Sequence, residues 1–194
     1  MFTLYSADFI NAPSNCSYPH RTEVRDAADL AAAVSRDYVC AEYMNHYRNG
    51  ENFLGSDCLP VDCDNDHSEN PADWVTLADV QAAFPGITFA VHYSRFHMRE
   101  KNGKPARPKF HVLFPIECMT DPAAYSEMKK LVNTIFPYFD TKALDAARFF
   151  FGTAEPKVEI FPGEMTLSEY LSGDDFDADM GSGSHGGNQV IPEG

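Results

Sequence analysis

The chain has 194 residues, of which 44% are hydrophobic and 13% aromatic, enough for one sizeable core and too few for two ordinary domains. No apolar run approaches the ~20 residues needed to cross a bilayer, and residues 1–10 lack the basic flank and apolar stretch of a signal peptide. Five cysteines without a CxxC pair predict neither a disulfide framework nor a zinc site. We therefore expect one cytoplasmic globular domain.

The formal net charge of -14 argues against a nucleic-acid partner, but the charge is unevenly distributed. Residues 164–194 hold seven acids and no lysine or arginine, which leaves -7 for residues 1–163. Residues 95–109 carry six of the 15 basic residues and one acid. An acidic protein with such a strip can still present a basic surface to phosphate.

Periodicity and turn residues predict the elements of the first half of the chain. Apolar residues at three- and four-residue spacing predict an amphipathic helix over about 26–47. A strand is predicted at about 58–61. A capping box that begins at Thr76 predicts a short helix over 77–84, closed by Pro85-Gly86.

The second half is predicted to begin with an antiparallel hairpin. Its strands are residues 87–98 and 109–114, which are rich in β-branched and aromatic residues, with a turn at Asn102-Gly103. Asp121-Pro122 supplies an N-cap and a first-turn proline for a helix to about residue 135. A second helical stretch is expected over 142–150.

A strand over 158–161 and a small helix from Leu167 are expected to complete the body. After Leu171 the composition changes to Gly, Ser and Asp without periodic apolar residues. We therefore expect a globular body over 1–172 and a flexible acidic Gly/Ser linker or tail over 173–194. A linker in that position suggests the front part of a longer protein.

Asp62 and Asp64 lie two residues apart at the end of a predicted strand, so their side chains share one face if the strand continues. Both could then bind one divalent cation. The alternative is an ordinary acidic loop in which Asn65 and Asp66 form a turn. An EF-hand is excluded because the run lacks the glycine and distal glutamate of such a loop.

A second pattern places a lysine and a histidine on one face of a strand. Lys109 and His111 alternate with Phe110 and Val112, so the polar pair faces away from an apolar layer. A single histidine on a strand is usually structural, but a lysine two residues away favours a phosphate site. We therefore predict that Lys109 and His111 bind phosphate.

A third pattern begins with Asp140, which follows the aromatic pair Tyr138-Phe139. Arg148 lies eight residues later, about two helical turns along if the segment is helical. The structural interpretation is that Asp140 caps a helix and the aromatic residues lie in the core. Both roles are compatible with a catalytic one.

In this order, the three patterns resemble the motifs of the archaeo-eukaryotic primase superfamily, and within it the primase-polymerases of phages and mobile elements. The superfamily is marked by DxD, then a motif that ends in His, then a hydrophobic residue followed by Asp. The matching residues here are Asp62-Cys63-Asp64, Lys109-Phe110-His111 and Phe139-Asp140, and Arg148 matches an arginine at the same spacing in eukaryotic primase-polymerases.

The resemblance covers about residues 48–152 and departs from the family pattern at two points. Lys109 stands where serine is common. A zinc-binding cysteine and histidine set is absent from the sequence, so a zinc knuckle for priming is not encoded here.

The resemblance implies an α+β fold in which an RRM-like antiparallel catalytic sheet, flanked by helices, joins an N-terminal α/β unit. The active site would lie between them. The implied activity is that of a template-directed DNA primase or polymerase, which uses two Mg²⁺ or Mn²⁺ ions in the replication of a phage or mobile element. The implied metal ligands are Asp62, Asp64 and Asp140.

The implied partners are a single-stranded DNA template, a primer and NTPs or dNTPs. Lys109, His111 and Arg148 would bind the triphosphate, with Arg48 a further candidate for the same cleft. A helicase domain follows in many relatives. The basic hairpin predicts a template clamp formed by Arg99, Lys101, Lys104 and Arg107, although a solvated loop would show the same composition.

Two other functions remain open from the residues alone. A two-metal nuclease or phosphoesterase would use three acids and a histidine equally well. A non-catalytic replication-initiator module could bind single-stranded DNA through the basic hairpin and aromatic residues such as Tyr93 and Phe96, but it would leave the three acids unexplained.

Overall fold

A computed structural model of the chain describes residues 1–173. Two antiparallel sheets flanked by a few short helices confirm the predicted α+β class. The predicted tail lies outside the described residues except for Gly173. Within residues 1–173, each helix is too short or too polar to cross a membrane, and all five cysteines are free thiols.

The N-terminal unit is a four-stranded antiparallel sheet with one helix, α1 (Ala27–Val34). Its strands in spatial order are β2 (His20–Val24), β1 (Phe2–Ser6), β3 (Tyr38–Val39) and β8 (Phe149–Phe150). The last strand, β8, lies far along the sequence from the other three. The chain therefore returns to this unit after it has formed most of the second sheet.

The second sheet has five antiparallel strands. In spatial order they are β4 (Glu42–Tyr43), β5 (Phe53–Cys63), β7 (Phe110–Met119), β6 (Phe89–Tyr93) and β9 (Val158–Phe161). The longest pairing, between β5 and β7, forms its centre. The strand predicted at 58–61 therefore extends in both directions and carries the first acid of the DxD run.

Three further helices were predicted close to their observed positions: α2 (Leu77–Ala83), α3 (Pro122–Ile135) and α4 (Leu167–Ser172). The capping box at Thr76 is present, and Asp121 caps α3 by accepting from the backbone N–H of Ala123. These local hydrogen bonds satisfy first-turn donors, which is why the sequence locates these helix starts well.

Strand β7 separates two hydrophobic cores. Val112 packs in the larger core, whereas its neighbour Leu113 packs in a smaller core against the N-terminal sheet. This alternation confirms the predicted two faces of the strand. His111 lies on the same face as Leu113, so the predicted polar pair is directed toward the junction of the two sheets.

The helix predicted over 26–47 is wrong beyond Val34. The chain turns at Asp37, whose carboxylate is fully buried and accepts backbone N–H groups of Asn11, Ala12 and Gly152 at 2.8–3.0 Å. The β-forming pair Tyr38-Val39 then enters the first sheet as β3. Long-range backbone donors to one carboxylate, which periodicity does not register, end this helix.

The helix predicted over 142–150 is also wrong. A single 3₁₀ turn spans Thr141–Ala143, and the chain then runs irregularly into β8. Side chains from elsewhere bind the carbonyls that a helix would have used internally: those of Ala143, Asp145, Ala146 and Ala147. Arg148 therefore reaches the site from an irregular segment.

Candidate active site

The register of the central sheet places three polar side chains in one row. Asp62 on β5 lies opposite His111 on β7, which lies opposite His92 on β6. Directly paired residues share a face of the sheet, so all three are directed toward the junction with the N-terminal unit. Asp140, which lies outside the sheet, is held beside this row because its backbone N–H donates to the carbonyl of Asp62 at 2.7 Å.

The three predicted acids are brought together. One carboxylate oxygen from each of Asp62, Asp64 and Asp140 lies within 4.8 Å of the others. Asp62 is only 6% exposed, and its Oδ1 has no hydrogen-bond partner within residues 1–173. A buried oxygen of this kind, next to two other carboxylates, suits the all-oxygen coordination that Mg²⁺ and Mn²⁺ prefer.

Electrostatics make this cluster costly without a cation. Two carboxylates ~4 Å apart repel by about 4 kcal/mol at an effective dielectric near 20. Burial, and then the charge of Asp64, raise the pKa of Asp62 to about 7, although Arg148 opposes the shift. A divalent cation would compete with a proton for Asp62, so the residues present fit a metal.

Two cations lie beside the acids. The Nζ of Lys109 is 3.0 Å from Oδ1 of Asp64 and 3.5 Å from Oδ1 of Asp66, and the lysine is 4% exposed. A guanidinium nitrogen of Arg148 lies 3.6 Å from Oδ2 of Asp62, and the Nε of this arginine is buried without a hydrogen-bond partner in the described part of the chain. The side chain of Arg148 is still 31% exposed, so its guanidinium can also reach a ligand oxygen.

His111 is buried between the acids and the N-terminal sheet. Its Nε2 lies 3.5 Å from Oδ1 of Asp62, and its Nδ1 lies 3.2 Å from the hydroxyl of Tyr38. Burial lowers the pKa of His111 to about 4, and Arg148 acts in the same direction while Asp64 opposes it. In this environment His111 is neutral at physiological pH and can offer one N–H.

A cleft of about 230 Å³ opens over these groups, and we call it the main cleft because Asp62, His111 and Arg148 all line it. It is lined by Asp62, Asp64, Ser94, Arg95, Phe96, Lys101, His111, Arg148 and residues 149–151. A second cleft of about 180 Å³ shares Ser94 and Arg95 with it and also includes Arg99, Thr153 and Lys157. Asp140 lines a third cleft, which is larger, about 310 Å³, and also includes Asp64.

Arg48 does not line the main cleft, contrary to expectation. Its guanidinium donates to the carbonyl of Ala147 at 2.9 Å and lies 4.8 Å from the ring centre of Phe149. Arg48 therefore supports the segment that carries Arg148. A partly buried arginine that binds a backbone carbonyl has no signal in the sequence that separates it from a ligand-binding arginine.

The predicted basic clamp is divided by the structure. Arg107 is fully buried, where it donates to the carbonyl of Asn65 and to Glu69, both at 2.9 Å, and stacks near Trp74. The expectation of an exposed Arg107 is wrong because the acidic loop after Asp64 folds over the hairpin. Lys104 faces that loop as well, with its Nζ 3.4 Å from Asp66.

Arg99 and Lys101 remain on the open side of the hairpin, in the second and main clefts respectively. Arg95 and Lys157 join them, and neither was singled out as a binding residue from the sequence. Arg95 could have been found as part of the basic strip 95–109. Lys157 is brought there only by the pairing of β9 with β6.

Comparisons with known proteins assign no family to the chain. No protein-family model and no curated protein matches it. One solved structure with a significant match is the AEP domain of the cyanophage S-2L primase-polymerase, with 14% identity, a TM-score of 0.46 and coverage of 84% of this chain and 81% of that chain. A likeness at this identity and TM-score does not assign the chain to a family, so function is argued below from the site itself.

Proposed function

We propose that this protein is a metal-dependent, template-directed nucleotidyltransferase that adds NTPs or dNTPs to a nucleic-acid strand. The observation that carries the proposal is the convergence of three carboxylates within 4.8 Å beside a cleft that also holds Arg148 and His111. Anionic metal ligands on one side and phosphate-binding donors on the other are the two requirements of phosphoryl-group chemistry.

Asp62, Asp64 and Asp140 would hold two Mg²⁺ or Mn²⁺ ions. When bound, such ions activate the attacking 3′-hydroxyl and neutralise the departing pyrophosphate. Asp62 lines the main cleft and Asp140 lines the third, while Asp64 lines both, so the three acids lie where these two clefts meet. The Lys109 ammonium beside Asp64 reduces the repulsion among the three acids.

Arg148 and His111 would bind the triphosphate oxygens. The part-exposed guanidinium of Arg148 supplies a charged donor, and His111 supplies a neutral one. Both line the main cleft with Asp62, so a phosphate bound there would lie beside the donors and the carboxylates together. Lys109 is held by Asp64 and Asp66, and its part in phosphate binding is therefore mainly electrostatic.

The second cleft, together with Lys101 of the main cleft, is the surface that we propose for the nucleic-acid strand. Arg95, Arg99 and Lys157 line it, and it joins the main cleft at Ser94 and Arg95. The guanidinium of Arg95 also lies 4.3 Å from the ring centre of Phe151, and the Nζ of Lys157 lies 4.6 Å from that of Tyr93, so two of these cations lie beside aromatic rings. Cations beside aromatic rings suit a single strand, whose phosphates bind cations and whose bases stack.

Salt dependence tests this strand surface. Changing Arg99, Lys101 and Lys157 together to serine should weaken binding of a single-stranded oligonucleotide and flatten the slope of log K against log salt by about two units, since each phosphate contact contributes about -0.7. Lys104→Ser is the matched control, because Lys104 faces Asp66, and its slope should change little. An unchanged slope in the triple variant would place the strand elsewhere.

The activity itself is tested with a labelled primer annealed to a template. Each NTP and dNTP is supplied in Mg²⁺ and in Mn²⁺, and a second series omits the primer. We expect the label to move to longer products that follow the template sequence. Shortening of the label, with or without nucleotide, would instead establish the two-metal nuclease. Strand binding without either reaction would establish a non-catalytic module.

A further inference from the structure

A chain of buried hydrogen bonds leads from His111 away from the cleft and crosses both sheets. The hydroxyl of Tyr38 lies 3.2 Å from Nδ1 of His111 and 3.1 Å from Nδ1 of His92. The Nε2 of His92 lies 2.9 Å from the hydroxyl of Thr153. His92 and Tyr38 are fully buried, so water does not compete for these groups.

Proton counting leaves two arrangements for this chain. A tyrosine hydroxyl has one proton and can donate to only one of the two Nδ1 atoms, so the other imidazole must donate to it. Each neutral imidazole carries one N–H. The bonds therefore run either from Thr153 toward His111 or from His111 toward Thr153, and both arrangements carry the same total charge.

The groups in the cleft decide between the two directions. Nε2 of His111 faces Oδ1 of Asp62 and the lining of the main cleft. A phosphate oxygen is an acceptor only, and so is the Asp62 carboxylate once a divalent cation replaces its proton, so Nε2 must carry the proton to interact favourably with either. Nδ1 of His111 then accepts from Tyr38, Nδ1 of His92 donates to Tyr38, and Nε2 of His92 accepts from Thr153.

We propose that Tyr38, supported by His92 and Thr153, is a positioning residue that holds His111 in the Nε2–H tautomer as a phosphate donor. The opposite tautomer would direct a lone pair at the phosphate. Phe150 fixes the geometry, since its ring centre lies 5.5 Å from that of Tyr38 and 4.7 Å from that of His111. The phosphate role rests on the proposed function, whereas the tautomer is measured without any catalysis.

Side-chain ¹⁵N NMR of histidine-labelled protein measures the tautomer directly. We expect His111 to be in the Nε2–H form with Mg²⁺ and inorganic tripolyphosphate, and Tyr38→Phe to populate the Nδ1–H form. Tyr125→Phe is the matched control: it also removes a buried hydroxyl, which donates to the carbonyl of Cys58 at 2.7 Å, and should leave His111 unchanged. A wild-type spectrum of the Nδ1–H form, or an unchanged His111 in Tyr38→Phe, would overturn the proposal.

Variants of Thr153, at the far end of this chain of hydrogen bonds, test whether the hydrogen bonds act as a unit. They also provide the test if Tyr38→Phe does not fold. Thr153→Val keeps the side-chain shape but removes the donor to His92, so it should shift His111 in the same direction by less. Thr153→Ser restores the hydroxyl and should resemble wild type. A wild-type tautomer in Thr153→Val would show that Thr153 does not support Tyr38 and would overturn that part of the proposal.

Kinetics separate this inference from the proposed function. In template-directed extension, Tyr38→Phe should raise the KM for nucleotide by about two- to tenfold, the size of one neutral hydrogen bond, and leave kcat within about twofold. A fall in kcat with an unchanged KM would contradict phosphate positioning. If the tautomer shifts as expected but no variant and no wild-type protein extends a primer, the proposed function fails and the tautomer assignment stands.

Discussion

The two halves of the candidate site are built in different ways. Asp62 and His111 lie on neighbouring strands, where backbone ladders fix them in register. Asp140 and Arg148 flank an irregular segment, 141–147, whose carbonyls are bound by the side chains of Lys129, Tyr43 and Arg48. We call these the ladder half and the strap half. The positions of the site residues are therefore fixed by backbone hydrogen bonds between strands in the ladder half, and by a few side-chain hydrogen bonds in the strap half.

The largest expected effect comes from removing the acids, and it applies to both halves. Asp62→Asn, Asp64→Asn and Asp140→Asn should each reduce primer extension by at least about a thousandfold, because each removes a metal ligand while leaving the side-chain shape. Mn²⁺ binding measured by calorimetry should weaken in parallel. Asp8→Asn is the control, since Asp8 is exposed and pairs only with His20 within the described chain.

Normal extension in Asp140→Asn, with loss in the other two variants, would contradict the claim that both halves contribute to the metal site. It would mean that the ladder half alone forms the metal site and that the strap half serves another purpose.

The phosphate-binding pair sharpens the comparison because it has one member in each half. Arg148→Met should weaken nucleotide binding by about one to two decades, as a charged hydrogen bond contributes about 1.5 to 3 kcal/mol. His111→Gln should weaken it by less than about tenfold, since burial keeps this imidazole neutral. Titration of each variant with nucleotide and metal measures both. Equal losses would show that His111 is charged in the complex.

Lys129 tests the strap half without touching the site. It is 1% exposed, and its Nζ donates to the carbonyl of Asp145 at 2.8 Å and that of Ala143 at 3.3 Å. Lys129→Met should lower extension by about tenfold, because a small displacement of Asp140 and Arg148 is costly, and amide hydrogen exchange over 143–148 should accelerate.

Lys130→Met on the same helix is the control for this variant, because Lys130 is exposed and pairs with Glu127. Fast exchange over 143–148 with normal extension would contradict the idea that the strap must be held rigidly.

The smallest effect concerns stability and the ladder half. The pKa of Asp62 is raised to about 7 in the folded protein by burial, above the value of about 3.9 in an unfolded chain. The native state therefore binds more protons between about pH 4 and 7, and the free energy of unfolding of the metal-free protein should fall as pH rises through that window. Asp62→Asn should remove this fall. Urea unfolding in chelator at pH 5 and pH 8 measures it.

The sequence predicted the ladder half better than the strap half, and the reason is physical. Strand alternation and the DxD run located Asp62, Asp64 and His111, because period-two patterning follows directly from the pleat. The helix predicted over 142–150 failed because its carbonyls are bound by distant side chains, which periodicity does not register. His92 was missed because the 16-residue connection between β6 and β7 does not fix the hairpin register.

The buried cations show a second limit of the same kind. Arg107 and Lys129 are each almost fully buried, and both bind backbone carbonyls. Composition favours exposure for arginine and lysine, and only tertiary contacts reverse that expectation. For this reason the basic hairpin was predicted as one surface, whereas in the structure Arg107 is buried, Lys104 faces Asp66, and Arg99 and Lys101 lie in the clefts.

A crystal structure with Mn²⁺ and a non-hydrolysable nucleoside triphosphate would test the central claim most directly. We predict anomalous density for Mn²⁺ among the carboxylates of Asp62, Asp64 and Asp140, with triphosphate oxygens on the guanidinium of Arg148 and Nε2 of His111. Manganese bound away from these three acids, or a triphosphate bound outside the main cleft, would contradict the account.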